Sequence, residues 1–590
     1  RLPGHRPAPS KAVKLDLGGR LISLDDAVRA RIALPAARET VVDNLAGQGP
    51  LAAELAALLT DTARLASTAL AGASLSRESD ARSFHVKAPV EIDTTLEVSV
   101  EAMPYLLDHC FFKQPPQAEP GDRWPVVPAT TVIDHLMDFA EQAAPGRRAV
   151  AVHDVRLTQW ITAVPAVTVG VRVRPHGPGR VLAALDGYSQ AVVELAPAYP
   201  ADAPAPWRFP ADAEQVPETT AAELYADRWM FHGPRFQGVT ELTAVGERHV
   251  RAVLTTPAAP GALLDNVGQV LGYWIMSRLA ERTTVFPVAV REIRFHGPHP
   301  APGERLECLV KITGLTGEFL DADMQLVHNG QVWAQFTGWR DRRFDSTPHI
   351  RQADRTPESS TLSVEQPGGW ALVHEQWPDL ATRELIMRNY LAGTERDAYA
   401  TRPPRGRRQW LLGRIAAKDA VRHYLWARGE PAMFPAELRV GNDDAGRPFV
   451  TGAYGRELPP LTISVAHRAE AGVAIARPWP CGIDVEEVGT RRESTVDAAL
   501  GAAEQALFAS LPGDPERWFA RFWTAKEAVA KLLGTGLRGE PRDFEVVAAA
   551  TAELTVRAAG REHLVHCADA DRPPRRYVVA WTEETKETAG

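Results

Sequence analysis

Two short segments near the C-terminus constrain this chain most tightly. Cys481-Gly-Ile-Asp-Val-Glu486 reads as a strand, and Phe522-Trp-Thr-Ala-Lys-Glu-Ala-Val-Ala-Lys531 reads as a helix. Residues two apart on a strand share a face, so Asp484 and Glu486 can meet one cation. Glu527 and Lys531 are four apart and share a helix face, with Lys526 flanking them. Three carboxylates with two ammonium groups suit a magnesium-bound pyrophosphate better than a bare metal or a bare phosphate.

At 590 residues the chain exceeds a single core and is expected to form several domains. A net charge of −8 argues against a nucleic-acid partner. Cys110, Cys308, Cys481 and Cys567 are scattered, with no CxxC pair. That pattern offers neither a disulfide framework nor a zinc site and fits a reducing cytoplasm. No stretch is long and apolar enough to span a bilayer, so no membrane partner is expected. The chain begins at Arg1, and a piece of a longer polypeptide is expected.

Residues 1–83 read as a lead-in, with a helix over Leu51–Leu70 and Pro-rich ends. From Phe84 the pattern alternates at strand period, and an apolar helix follows over Thr130–Ala143. Further strands fall near Val150–Leu157, Val167–Val173 and Ala191–Leu195. After a Pro/Ala-rich stretch a second round begins. It has strands near Val239–Val245 and His249–Thr255, a helix over Leu264–Ala280, and strands near Val285–Phe295, Arg305–Thr313 and Asp323–Trp339. One long helix with antiparallel strands thus occurs twice, the pattern of a double hotdog over residues 84–342. Residues 343–367 read as a polar linker without an amphipathic helix. Residues 368–590 form a third unit, with helical segments at Thr382–Leu391, Trp410–Trp426, Thr495–Ala509 and Glu516–Leu533.

In the middle unit, Pro104-Tyr-Leu-Leu-Asp-His109 carries a histidine before a Pro-rich loop, and Asp265 and Gln269 share a helix face. A converging His–carboxylate pair can remove an acidic α-proton and protonate a β-hydroxyl leaving group. His232 and His296 each sit in Phe-His-Gly-Pro, which reads as turn chemistry and leaves both outside the site.

These motifs carry two resemblances. Gly482-Ile-Asp-Val-Glu486 with Trp523-Thr-Ala-Lys-Glu-Ala-Val-Ala-Lys531 resembles the paired signature of the 4′-phosphopantetheinyl transferases. The resemblance extends to Trp410-Leu-Leu-Gly-Arg-Ile-Ala-Ala-Lys418, Gly446-Arg-Pro448 and Ser464-Val-Ala-His467. It implies a pseudo-dimer of two α+β halves, residues 368–475 and 476–585. It implies Mg²⁺ at Asp484, Glu486 and Glu527, with Glu527 also a candidate base. Coenzyme A phosphates would be bracketed by Arg407, Arg408, Arg414, Arg447, His467, Lys526 and Lys531. Glu504 fits a further family glutamate, as metal support, base relay or plain surface residue.

Leu263-Leu-Asp-Asn-Val-Gly-Gln269, His109 and Phe231-His-Gly-Pro-Arg-Phe-Gln-Gly238 resemble the dehydratase domains of polyketide synthases. There the family pattern reads Tyr-Gly-Pro-x-Phe-Gln-Gly. That resemblance implies His109 as general base, Asp265 as general acid and Gln269 as the residue orienting it. Two departures stand out. Lys113 replaces the usual glycine, and the loop Phe111–Trp124 is longer and richer in proline, which implies an altered pocket mouth.

The expected fold class is α+β, a double hotdog followed by a pseudo-dimeric transferase domain. The domain order resembles the C-terminal end of iterative, enediyne-type polyketide synthases. It implies an enzyme that dehydrates 3-hydroxyacyl chains toward a polyene and arms a carrier-protein serine from coenzyme A. An acyl carrier protein domain is the implied partner, and homodimerisation through the parent synthase is expected. The rival expectations are a hotdog thioesterase and a catalytically silent carrier-binding scaffold.

Overall fold

The computed structural model describes residues 89–344, 346–377, 379–538 and 540–583. The lead-in 1–83 and its expected helix Leu51–Leu70 lie outside them. Among the described residues no helix is long and apolar enough to cross a membrane. All four cysteines are buried free thiols.

The first part holds twelve antiparallel strands and two long helices. β1 (Ile92–Val98), β2 (Arg148–Leu157), β3 (Val167–Pro175), β4 (Arg180–Leu185) and β5 (Ser189–Ala196) run in the order β1-β3-β4-β5-β2. Helix α1 (Ala129–Ala143) packs on β2, β4 and β5. β6 (Glu214–Gln215), β7 (Val239–Gly246), β8 (His249–Thr255), β9 (Thr284–Phe295), β10 (Arg305–Leu315), β11 (Phe319–His328) and β12 (Gln331–Phe344) repeat the plan in the order β9-β12-β11-β10-β8-β7-β6. Helix α2 (Ala262–Arg278) packs on β7, β8 and β10. The two sheets join where β2 pairs with β9, with Val152 opposite Ile293. This is a double hotdog.

Ile133, Leu136, Ala140 and Ala143 recur three to four apart on α1 and are buried. α2 is buried on more sides, through Leu263, Leu264, Val267, Val270, Leu271 and Trp274. Gly261, just before α2, takes a left-handed φ of 71°, and a Cβ there would lie 2.5 Å from the Thr131 backbone. Glycine therefore lets the two helix starts touch. The single strand expected over Asp323–Trp339 is instead the hairpin β11–β12. Asn329 and Gly330 both have positive φ and form its two-residue turn.

The linker expectation for 343–367 also fails. Helix α3 (Pro348–Arg355) lies within it, capped by the Thr347 hydroxyl accepting from the Ile350 amide. Pro348 occupies the first helical turn, where its missing N–H costs nothing. Ile350 and Ala353 are buried one turn apart, and strand β13 (Val364–Gln366) comes next.

The last part has two similar halves. In the first, helix α4 (Pro404–Trp426) packs on the sheet of β13, β14 (Trp370–His374), β17 (Thr462–Arg468) and β18 (Ala471–Arg477). β15 (Leu438–Asn442) and β16 (Pro448–Gly452) form a separate ribbon. In the second, helix α5 (Pro515–Leu533) packs on β19 (Cys481–Glu487), β20 (Glu545–Ala549), β21 (Glu553–Ala558), β22 (Arg561–Asp569) and β23 (Tyr577–Glu583), ordered β19-β23-β22-β21-β20. The halves meet at β17 and β19, where the Ile483 amide donates to the Ser464 hydroxyl at 3.0 Å. The helix expected over Thr495–Ala509 is two helices, Glu493–Ala499 and Ala502–Ser510. The break lies at Gly501, whose amide donates to the Glu504 carboxylate.

Gly482 brings β19 against α5, since a Cβ there would lie 1.9 Å from the Ala528 carbonyl oxygen. Gly482→Ala must part strand from helix, and should destabilise the chain by about 1–3 kcal/mol in urea unfolding. An unchanged midpoint would show that this close approach is not needed.

Candidate active sites

The hotdog site is assembled from both halves. His109 follows a short 3-10 turn, Pro104–Asp108. The Gly233 amide donates to the Asp108 carbonyl at 2.7 Å, and the Arg235 amide donates to the Asp108 carboxylate. A Cβ at Gly233 would strike the Asp108 side chain at 2.6 Å, so glycine permits this junction. The junction sets the His109 and His232 rings 5.1 Å apart, between Phe231 and Phe236.

His109 is buried, and its Nδ1 lies 2.9 Å from the Val126 carbonyl. A carbonyl only accepts, so Nδ1 carries the proton and Nε2 keeps a free lone pair. Burial, then the neighbouring His232, pushes the imidazole down to about 4. Asp265 Oδ2 accepts from Gln269 Nε2 at 2.8 Å, and Gln269 Oε1 accepts from the Tyr225 hydroxyl at 2.7 Å. His109, Asp265 and Gln269 thus come together around one cavity of about 310 Å³.

The exclusion of His232 is overturned. Its Nε2 lies 3.0 Å from Asp265 Oδ2, and its buried Nδ1 has no partner. Burial raises the Asp265 carboxyl, but the charge and hydrogen bond of His232, with help from His109 and Gln269, hold it below its ordinary value. Among the described residues, His109, His232 and Asp265 are the one trio of such groups with ligand atoms within 4.8 Å. The signal was present in the sequence. His232 stands where the family pattern has tyrosine, another buried aromatic with a polar tip. His296, in the matching Phe-His-Gly-Pro, does not line the cavity.

The second site lies where β19 meets α5. Asp484 is buried, and its Oδ1 accepts from Lys531 Nζ at 2.8 Å. Lys531 also donates to the Ile483 carbonyl at 2.9 Å. Asp484 Oδ2 is buried without any partner. Glu486 is held by Arg468 at 2.7 Å and by Arg491 at 2.9 Å, two residues the sequence motifs did not single out. Arg468 directly follows His467 on β17, which was the available clue. Burial, then Asp484, pushes the Glu527 carboxyl up, although Lys531 and Arg468 oppose this. An orphaned buried oxygen on Asp484, with Glu527 raised by Asp484 and Glu486, is a donor set a hard divalent cation fits.

Around these groups, burial and then Lys531 lower the His467 imidazole. Arg447 reaches from the first half to the Gly534 carbonyl at the end of α5. Arg414 donates to Asn442 and stacks on Trp410. Arg407 and Arg408 are engaged within their own half. Arg407 donates to the Ala400 and Arg402 carbonyls, and Arg408 pairs with Glu375 and Glu470.

Lys526 corrects an expectation outright. It is fully buried and donates to Glu504 (2.9 Å), to the Ala499 carbonyl (2.8 Å) and to the Pro541 carbonyl (3.0 Å). Its three protons are spent, so it cannot hold a phosphate. Glu504 is accordingly its buried partner and not a surface residue. The first half repeats the arrangement. Lys418 donates to Glu395 at 2.5 Å and to the Tyr390 carbonyl at 2.6 Å. Glu395 accepts from the Val440 amide, as Glu504 accepts from that of Val546.

Comparison with known proteins agrees with this architecture. Residues 480–582 match the family model of the 4′-phosphopantetheinyl transferase superfamily. Residues 201–349 match that of the polyketide synthase dehydratase N-terminal domain. A curated relative, 4′-phosphopantetheinyl transferase psf-1 of Bacillus pumilus, is 26% identical over 156 residues, covering 26% of this chain. The match spans 62% of that relative's length. Solved structures similar to the chain include the dehydratase domain of a mycocerosic acid synthase-like polyketide synthase (20% identity, 45% of this chain and 98% of that one, TM-score 0.34). Another is the dehydratase domain from the CurJ module of curacin polyketide synthase (20% identity, 46% and 96%, TM-score 0.34). The chain thus joins a dehydratase-type double hotdog to a domain of the phosphopantetheinyl transferase type.

Lys526→Met would strand Glu504 in the core. It should cost about 3–5 kcal/mol in urea unfolding. Coenzyme A affinity of the folded fraction should stay unchanged. Lost affinity with unchanged stability would return Lys526 to the ligand site.

Proposed function

We propose that this chain dehydrates 3-hydroxyacyl thioesters on an acyl carrier protein and transfers 4′-phosphopantetheine from coenzyme A to a carrier serine. The observation that carries the transferase reading is the orphaned Asp484 Oδ2 beside Lys531 and Glu527. The dehydratase reading is carried by the buried His109, whose free Nε2 shares a cavity with the Asp265–His232 pair.

In dehydration, His109 Nε2 takes the α-proton. Its lowered basicity keeps it neutral, and so ready, at any pH well above 4. The proton for the departing hydroxyl comes from the Asp265–His232 pair, and Gln269 fixes Asp265. The C–O bond breaks as the C=C bond forms, giving the enoyl thioester and water.

In transfer, the serine hydroxyl attacks the β-phosphorus of coenzyme A and 3′,5′-ADP leaves. Asp484, Glu486 and Glu527 would hold Mg²⁺, which when bound neutralises the pyrophosphate. Glu527, raised by its neighbours, accepts the serine proton. Lys531, His467, Arg414 and Arg447 line the approach for the phosphates, with Arg407 and Arg408 farther out. The order of the two domains supports an iterative, enediyne-type synthase with a polyene product, acting as a homodimer.

Two measurements test this. With coenzyme A, Mg²⁺ and an apo carrier, intact mass should show the phosphopantetheine increment, lost in Asp484→Ala and on chelation. No increment with several carriers would sink the transferase reading. With a 3-hydroxyacyl thioester, the product should be enoyl. His109→Ala should abolish it, and His232→Phe should lower kcat about 10²–10⁴-fold. The kcat/KM profile should hold on the acid side until pH nears 4. Free acid as product would mean a thioesterase.

A further inference from the structure

The hotdog cavity is not walled by the hotdogs alone. Arg351, Asp354 and Arg355 of α3, and Leu385 of the helix Leu380–Tyr390, line it together with His109 and Asp265. The long loop Phe111–Trp124 fastens this wall. Lys113 pairs with Glu358, Gln114 donates to the Asn389 carbonyl at 3.1 Å, and Asp122 binds Arg396 and Tyr454. The Arg388 guanidinium lies over the Trp124 ring at 4.3 Å. The loop departs from the dehydratase pattern because it seats the helices C-terminal to the second hotdog.

This wall carries three guanidinium groups. Arg351 is half-buried, and among the described residues no carboxylate or carbonyl pairs with its guanidinium. Arg355 sits one turn on, donates to the Asp227 carbonyl at 2.7 Å and covers the Trp229 ring. Arg228 completes the trio and donates one N–H to the Phe111 carbonyl. Like charges four apart on a helix disfavour it. The acids that act on Arg228 are Asp354 and Glu358. Glu358 is taken by Lys113, and the buried Asp354 carboxyl, pushed up to about 7 by burial, accepts from Asn389. Guanidinium groups with N–H donors to spare in a cavity wall match a phosphate's oxygens.

We propose that Arg351 and Arg355, with Arg228, form a phosphate subsite of the hotdog cavity that receives the phosphodiester of the arm carrying the acyl chain. The subsite rests on the dehydratase reading for its substrate. It means that the segment after the second hotdog completes the dehydratase pocket.

Three thioesters of one 3-hydroxyacyl group separate the contributions: carrier-bound, 4′-phosphopantetheine and pantetheine. The intact chain should show a KM about tenfold lower for phosphopantetheine than for pantetheine, as expected for charge-assisted contacts. Arg351→Gln should erase that gap by raising only the phosphorylated KM, and Arg351→Lys should keep part of it. Carrier-bound substrate should follow the phosphopantetheine thioester. Equal KM values in the intact chain, or a rise in both with Arg351→Gln, would overturn the subsite. If no thioester is dehydrated, the dehydratase reading fails and the subsite is judged by binding. In the Asp484→Ala chain, 4′-phosphopantetheine should then quench tryptophan fluorescence at lower concentration than pantetheine, and Arg351→Gln should abolish the difference. Equal quenching would refute it.

Discussion

A carboxylate taken out of water must be compensated, and that constraint sorts the acidic residues of this chain by role. An uncompensated buried charge costs several kcal/mol or more, so each must find partners or a ligand. Glu395 and Glu504 are fully compensated. Each binds a buried lysine with one oxygen and a strand amide with the other. They have nothing left to offer chemistry and hold helices to strands. Asp265 is compensated by a histidine, a partner that can itself lose or gain a proton. Asp484 is compensated on one oxygen only. The unfinished compensation marks the two candidate sites.

Much of this was legible in the sequence. The apolar spacing over Thr130–Ala143 announced the first hotdog helix, because burial on one helix face leaves a period, and a helix was also expected over Leu264–Ala280. His109, Asp265 and Gln269, which the motifs singled out, line one cavity, and Asp484 meets Lys531 of the second motif. What escaped was set by tertiary context. Lys526 and Lys531 look alike as lysines on one helix. Only packing shows that Lys526 points into the core and Lys531 toward Asp484. His232 was discounted because Gly-Pro explains a turn. The turn in fact exists to bring its ring to Asp265. Helix α3 was missed because its polar residues dominate a short stretch, and two buried side chains suffice to seat it.

The repeated Lys–Glu pairs also show how the transferase-type domain divides its labour. Both halves keep the same internal fastening, helix to strand, although the residues around it have diverged. The equivalent of β19 in the first half is β14, since each pairs antiparallel with the last strand of its own half. β14 reads Trp370-Ala-Leu-Val-His374 and carries no carboxylate, whereas β19 carries Asp484 and Glu486. Conversely, Arg414, Arg447, His467 and Arg468 all come from the first half. A duplicated fold has thus placed the site's carboxylates, with Lys531 and Arg491, on one side of the β17–β19 seam and these four basic residues on the other. Neither half alone can neutralise a pyrophosphate and also hold the cation that accompanies it. Arg468 bonded to Glu486, and Arg447 bonded to the end of α5, are the contacts that keep the two charge sets facing one another. These contacts add to the apolar packing of Trp370 and Ile475 on Ile483 and Trp581 that joins the halves, and a phosphate-bearing ligand would exploit them.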